Sequence, residues 1–220
     1  MFEFQGRGYA LGDGRTVHGL VAERNWQVVG TPTSSSVTLA VPIGPDFPGG
    51  WPFDGLIRQA IRVGGTGLLM RLEVHCLDRP MPAIAVFHPW FRRRLGVDRA
   101  ATVNFSPGRR IIFRDGGHRA TPDLGPRPWD DLFVDLAGPP SIRGPTVTMM
   151  SNAPIWVYYE RMPQGFCIEP WTGPFNGLST PWASVVSPGN PLVLELALRI
   201  SSAQQPAVRW CESLEGRTSA

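Results

Sequence analysis

Ile155-Trp156-Val157-Tyr158-Tyr159-Glu160, the turn Met162-Pro163-Gln164-Gly165, and Phe166-Cys167-Ile168-Glu169-Pro170-Trp171 form the stretch whose reading decides the fold. Two short runs of β-branched and aromatic side chains flank a tight-turn sequence, which reads as strand, turn, strand. The same signature recurs outward in both directions. Candidate strands are 37–41, 67–77, 83–87, 101–104, 111–113, 132–136, 146–150, 155–160, 166–169 and 192–200, each bounded by turn formers. The 25 glycines and 23 prolines leave few windows for a long helix. Only Pro52–Ile61 is ambiguous, between a short helical turn and another extended segment. So many short strands in one chain imply an all-β fold of two packed sheets.

With 220 residues and 42% hydrophobic content, the chain can bury one substantial core. The reading is one β-sandwich domain over residues 1–200. It is followed by a polar tail, 201–220, where the pattern dissolves into Ser201-Ser202-Ala203-Gln204-Gln205-Pro206. No internal repeat or interdomain linker is visible.

The net charge of +3 is carried by arginine alone, for the chain has no lysine. The clusters Arg92-Arg93-Arg94 and Arg109-Arg110 lie outside helical patterns and recognised nucleic-acid motifs, so no nucleic-acid partner is expected. Cysteines 76, 167 and 211 are odd in number and widely spaced, unlike a disulfide framework or a zinc site, which suits a reducing compartment. Met1-Phe2-Glu3-Phe4 lacks signal-peptide regions and no apolar run reaches membrane-spanning length. The expectation is a cytoplasmic protein without a membrane partner; its oligomeric state is not legible.

Glu169 is the first candidate for proton chemistry. It sits inside an apolar run, where burial raises a carboxyl's pKa toward neutrality; pairing with an arginine is the structural alternative. In Val86-Phe87-His88-Pro89-Trp90-Phe91, His88 is biased toward extended backbone by the following proline and surrounded by aromatics. It reads either as a proton donor and acceptor near pH 7 or as a histidine satisfied by a backbone carbonyl. Asp130, beside Asp131 at the entrance to a strand, is a turn residue or a ligand contact. His18, before Gly19, is a ligand contact or a surface-loop histidine. His75, inside a strand pattern, and His118, in a Gly/Arg loop, have less to recommend them.

No two histidines or cysteines show metal-ligand spacing, no G-x-S-x-G elbow appears, and Cys167 adjoins no obvious base. Phosphate cradles and dinucleotide fingerprints are absent, so no cofactor is expected. Trp90, Trp129 and Trp171, adjoining His88, Asp130 and Glu169, would suit stacking on a pyranose or simply fill a core.

Read in order, the segments resemble the aldose 1-epimerase (galactose mutarotase) family. Phe2-Glu3-Phe4-Gln5-Gly6 with Tyr9 looks like its strand before the substrate loop. His18-Gly19-Leu20 through Trp26 resembles its H-G-F…R…W segment. Arg79-Pro80-Met81-Pro82 leading to Phe87-His88-Pro89-Trp90-Phe91 is similar to its M-P…H-P-Y/W-F signature. Asp130-Asp131-Leu132-Phe133 resembles its D-x-x-F element, and Cys167-Ile168-Glu169-Pro170 with Thr172-Gly173-Pro174 its C-x-E-P-x-T-G-P segment. Family members often carry a P-D-A-like sequence where this chain has Phe175-Asn176-Gly177. They also generally carry an additional N-terminal block of strands before the segment matched by Phe2–Gly6, so the expectation is a galactose-mutarotase-like supersandwich lacking those strands.

The resemblance implies interconversion of the α and β anomers of a free hexose, without metal or nucleotide. Glu169 would be the general base on the C1 hydroxyl and His88 the acid toward the ring oxygen, with His18 and Asp130 holding sugar hydroxyls. Two alternatives stay open. One is a hexose-phosphate epimerase using Arg92-Arg93-Arg94 as a phosphate clamp. The other is a non-catalytic carbohydrate-binding or sensor protein of the same fold.

Overall fold

A computed structural model describes residues 1–11, 19–47, 50–94, 100–143 and 146–201. The first strands are β1 (Phe2–Phe4), β2 (Arg7–Tyr9), β3 (Gln27–Val28), β4 (Ser36–Ile43), β5 (Gly55–Gly64) and β6 (Gly67–Cys76). Next come β7 (Met81–Ala83), β8 (Trp90–Arg92), β9 (Thr102–Asn104), β10 (Arg109–Arg114), β11 (Gly117–Thr121) and β12 (Asp130–Val134). The last are β13 (Ser141–Arg143), β14 (Thr146–Ser151), β15 (Ile155–Tyr159), β16 (Gly165–Trp171), β17 (Ser184–Val186) and β18 (Leu192–Ser201), with one 3-10 turn at Gly177–Ser179.

Two antiparallel sheets stack. The larger has eight strands in the order β3-β4-β5-β6-β18-β14-β13-β9, and the smaller has six in the order β11-β10-β12-β15-β16-β8. Alternation sets which side chains meet between them. From the large sheet Ile57, Leu72, Val74, Met149, Leu194 and Leu196 point inward; from the small one Phe133, Trp156, Tyr158, Phe166 and Ile168 do. The outer face of the large sheet is polar. Arg71 bridges Glu73 (2.8 Å) and Glu195 (2.6 Å), and His75 meets Glu73 at 3.0 Å, so His75 belongs to a surface ion network.

The small sheet is covered on its other face too. Ile111, Leu132, Val134, Ile155 and Val157 form a second apolar layer, packed by Ala120, Trp171 and Trp182. This explains why β15 and β16 read as nearly unbroken apolar runs rather than as alternating ones.

The segment left open between a helical turn and an extended stretch is extended from Gly55 on, in β5, where a Cβ on Gly55 would lie 2.7 Å from the His75 carbonyl. Several expectations need correction. The expected 83–87 strand is split: Met81–Ala83 pairs with β17, while Val86 bridges Trp171. Ser201, placed in the tail, ends β18 opposite Thr146, and residues 202–220 lie outside the described part. His118, read as a loop residue, lies in β11, paired with Phe113 across a hairpin whose turn is Asp115-Gly116, both at positive φ. No helix among the described residues is long and apolar enough to cross a membrane.

Candidate active site

β16 carries the site. Its register against β15 and β12 sets Leu132, Val157 and Glu169 side by side, and Asp130, Tyr159, Cys167 and Trp90 in the next row of the same face. Glu169 thus lies on the face away from the main core, beside the second apolar layer. The chain at 85–90 runs antiparallel along β16. Ala85 and Thr172 exchange backbone and hydroxyl hydrogen bonds, and Phe87 N donates to the Pro170 carbonyl at 3.2 Å. Val86 opposes Trp171 and Trp90 opposes Cys167, so His88 falls opposite Glu169.

The pairing is direct: His88 Nδ1 lies 3.4 Å from Glu169 Oε1. The second oxygen, Oε2, accepts a hydrogen bond from Trp171 Nε1 at 3.0 Å. Glu169 is 2% exposed, whereas the His88 side chain is 32% exposed, so the carboxyl is reached past the imidazole. Burial pushes the Glu169 carboxyl up to about 7, with a further upward push from the Asp130 charge, against hydrogen bonds from Trp171 and Cys167. The half-exposed Trp90 ring stacks on His88 at 5.8 Å and 14°.

Asp130 opens β12 two strands from Glu169, with its side chain partly exposed and Arg161 Nη1 3.7 Å away. His18 lies outside the described residues. The segment after it is held locally: Trp26 Nε1 donates to the Val21 carbonyl at 3.2 Å and Arg24 Nε to that of Leu20 at 3.4 Å.

Cys167 contributes to the site without having been singled out for it, and Trp171, read as a stacking surface or a core residue, contributes a hydrogen bond to Glu169. Strand period was the available signal, because residues 167, 169 and 171 of one strand share a face. Burial and the neighbouring Glu169 charge raise the Cys167 thiol well above its ordinary range, so it is a neutral neighbour rather than a nucleophile. The donor atoms of His88, Cys167 and Glu169 lie within 4.8 Å of one another, a grouping able to hold a soft divalent ion that sequence spacing could not reveal.

Geometry decides two readings that the sequence left open. Trp129 is buried in the main core, its Nε1 donating to the Gly125 carbonyl at 3.3 Å, so of the three tryptophans only Trp90 and Trp171 adjoin the site. Arg93 cannot serve a phosphate clamp, because its guanidinium donates to the carbonyls of Glu160 and of Met162, the latter at 2.9 Å.

A family model described as aldose 1-epimerase matches residues 1–101. No curated protein matches the chain in sequence. Among solved structures, a galactose mutarotase-like protein from Clostridium acetobutylicum superposes with a TM-score of 0.74 at 14% identity, over 91% of this chain and 75% of that one. A candidate aldose 1-epimerase from Escherichia coli gives 0.71 at 18% identity, over 91% of this chain and 78% of that one. The galactose mutarotase related enzyme from Lactobacillus acidophilus gives 0.68 at 18%, with the same coverages. The fold is therefore galactose mutarotase-like, with about three quarters of each solved chain matched. The chain is thus similar to the aldose 1-epimerase family over residues 1–101 and shares the galactose mutarotase-like fold.

Proposed function

We propose that the protein is an aldose 1-epimerase that equilibrates the α and β anomers of a free aldose, with Glu169 as general base and His88 as general acid. The observation that carries this reading is the pair itself: a buried carboxyl with its pKa pushed up to about 7, 3.4 Å from a partly exposed imidazole. A base tuned near working pH combines adequate population of the carboxylate with enough basicity to take a proton.

In this reading Glu169 removes the C1 hydroxyl proton while the C1–O5 bond breaks and the His88 imidazolium protonates O5. The product is the open-chain aldehyde. Rotation about C1–C2 presents the other carbonyl face, the O5 hydroxyl attacks C1, His88 takes its proton back and Glu169 returns one to the new C1 oxygen. Proton inventory closes over the cycle, with no redox step. Nδ1 faces Glu169, so Nε2 is the donor to O5. Trp171 holds the carboxyl through Oε2, while Oε1 faces His88 Nδ1. Asp130 holds sugar hydroxyls beside the pair. A cytoplasmic setting accords with this use of a free sugar.

Polarimetry of freshly dissolved α-D-glucose and α-D-galactose tests the proposal. Wild type is expected to accelerate equilibration and Glu169→Gln to reduce the acceleration at least about 100-fold, the scale of a general-base contribution. A folded wild type showing only the spontaneous rate with both sugars would overturn it.

A further inference from the structure

Resting on that epimerase reading, we infer that the site continues into a second subsite for a neutral glycosyl residue, making reducing disaccharides better substrates than free hexoses. The two subsites would share one sheet face and meet at Asp130. β10 pairs with β12 only through Arg109–Ile111, so beyond Ile111 the two strands part. The gap holds a cleft of about 500 Å³ whose walls include Phe113, Arg114, Thr121, Asp123, Asp130 and Phe175.

This cleft has the composition of a saccharide subsite: exposed ring faces for C–H surfaces and charged or hydroxyl edges for sugar hydroxyls. Phe113 and Phe175 are 53% and 45% exposed, unusual for phenylalanines with no partner to cover them. His118 bridges them, 5.1 Å from the Phe113 ring and 5.6 Å from that of Phe175, so they form one aromatic wall. Phe175 stands in the loop leaving β16, its ring edge-on to His118 of β11.

Charge selects a neutral occupant. Arg110, the other cation on the cleft, is already drawn to Asp131 at 3.6 Å and to Asp123 at 3.9 Å, and the walls carry three aspartates against two arginines. A phosphate or carboxylate would meet as much repulsion as attraction there. Reach fits as well. β16 and β10 are three strand spacings apart, roughly 15 Å from Glu169 to the aromatic wall, more than one pyranose ring spans. The reducing ring would lie against His88 and Glu169 and the glycosyl ring between Phe113 and Phe175.

The experiment compares kcat/KM for mutarotation of glucose, maltose, cellobiose and melibiose by wild type, Phe113→Ala and Phe175→Ala, alongside calorimetric binding of each sugar to Glu169→Gln. At least one disaccharide should exceed glucose about tenfold in both readouts, the gain expected from two ring contacts. Either phenylalanine variant should cut the disaccharide-to-glucose ratio severalfold. Both rings are half exposed, so neither truncation threatens folding. Glucose equalling or exceeding all three disaccharides, or a ratio unmoved by both variants, would overturn the inference. If no sugar is turned over while a disaccharide still binds tighter than glucose, the epimerase reading falls and the subsite stands.

Discussion

Burial lifts the Glu169 carboxyl to about 7 in the folded state, above its ordinary 4.5, so its behaviour with pH can be stated with a sign. As a general base it works deprotonated, so kcat/KM for mutarotation should fall about tenfold per pH unit below about 7 and level off above. Stability moves the other way. Between 4.5 and about 7 the folded state binds the proton more tightly than the unfolded chain, so folding gains stability in acid and loses it as pH rises through 7. The full difference is about 3 kcal/mol, an upper figure. Glu169→Gln should therefore melt higher than wild type at pH 8, with little difference at pH 4.5; equal melting at pH 8 would contradict a raised pKa. The carboxyl's burial was legible from its apolar neighbours. Trp171, two residues on in the same strand, follows from strand period, whereas His88 was not legible as its partner, because that contact depends on strand register.

At the scale of elements, the turn joining β15 to β16 is clamped from outside. Glu160, 8% exposed, accepts from Arg127 Nε at 2.7 Å and from Trp129 N at 2.9 Å. Burial alone would raise its pKa, but these donors hold it below the usual carboxylate range. Arg93 closes the other side through the Glu160 and Met162 carbonyls, and its own N–H donates to Gln164 at 3.1 Å. Arg93→Ala leaves these carbonyls without their charged donor and should cost roughly 1–3 kcal/mol by chemical denaturation. Sensitivity of mutarotation to inorganic phosphate should be unchanged; a variant of native stability with lost phosphate inhibition would restore the clamp reading. Three adjacent arginines look alike in sequence. Only the carbonyls facing Arg93 distinguish a structural brace from a ligand contact.

At the scale of the whole molecule, the core between the two sheets should unfold as one unit. Met149 and Phe166 are almost fully buried, from opposite sheets, in the same cluster. Met149→Ala should lower stability by about 2–5 kcal/mol in a single transition shared by β-sheet circular dichroism and tryptophan fluorescence. Two separated transitions would mean that the sheets are not one cooperative core. The sequence by itself determined the all-β class, most strand positions and the residue types able to exchange protons, because turn formers and strand period act locally. It misread the 83–87 strand, divided between two neighbours, and left open whether Trp129 stacks on a ligand or fills the core, because both depend on packing partners. Tertiary structure alone decided that His88 stands opposite Glu169 and that β10 and β12 part to open a cleft beside Asp130. Both follow from the register of strands distant in sequence, which is set by burial across two sheets and is invisible in any single segment.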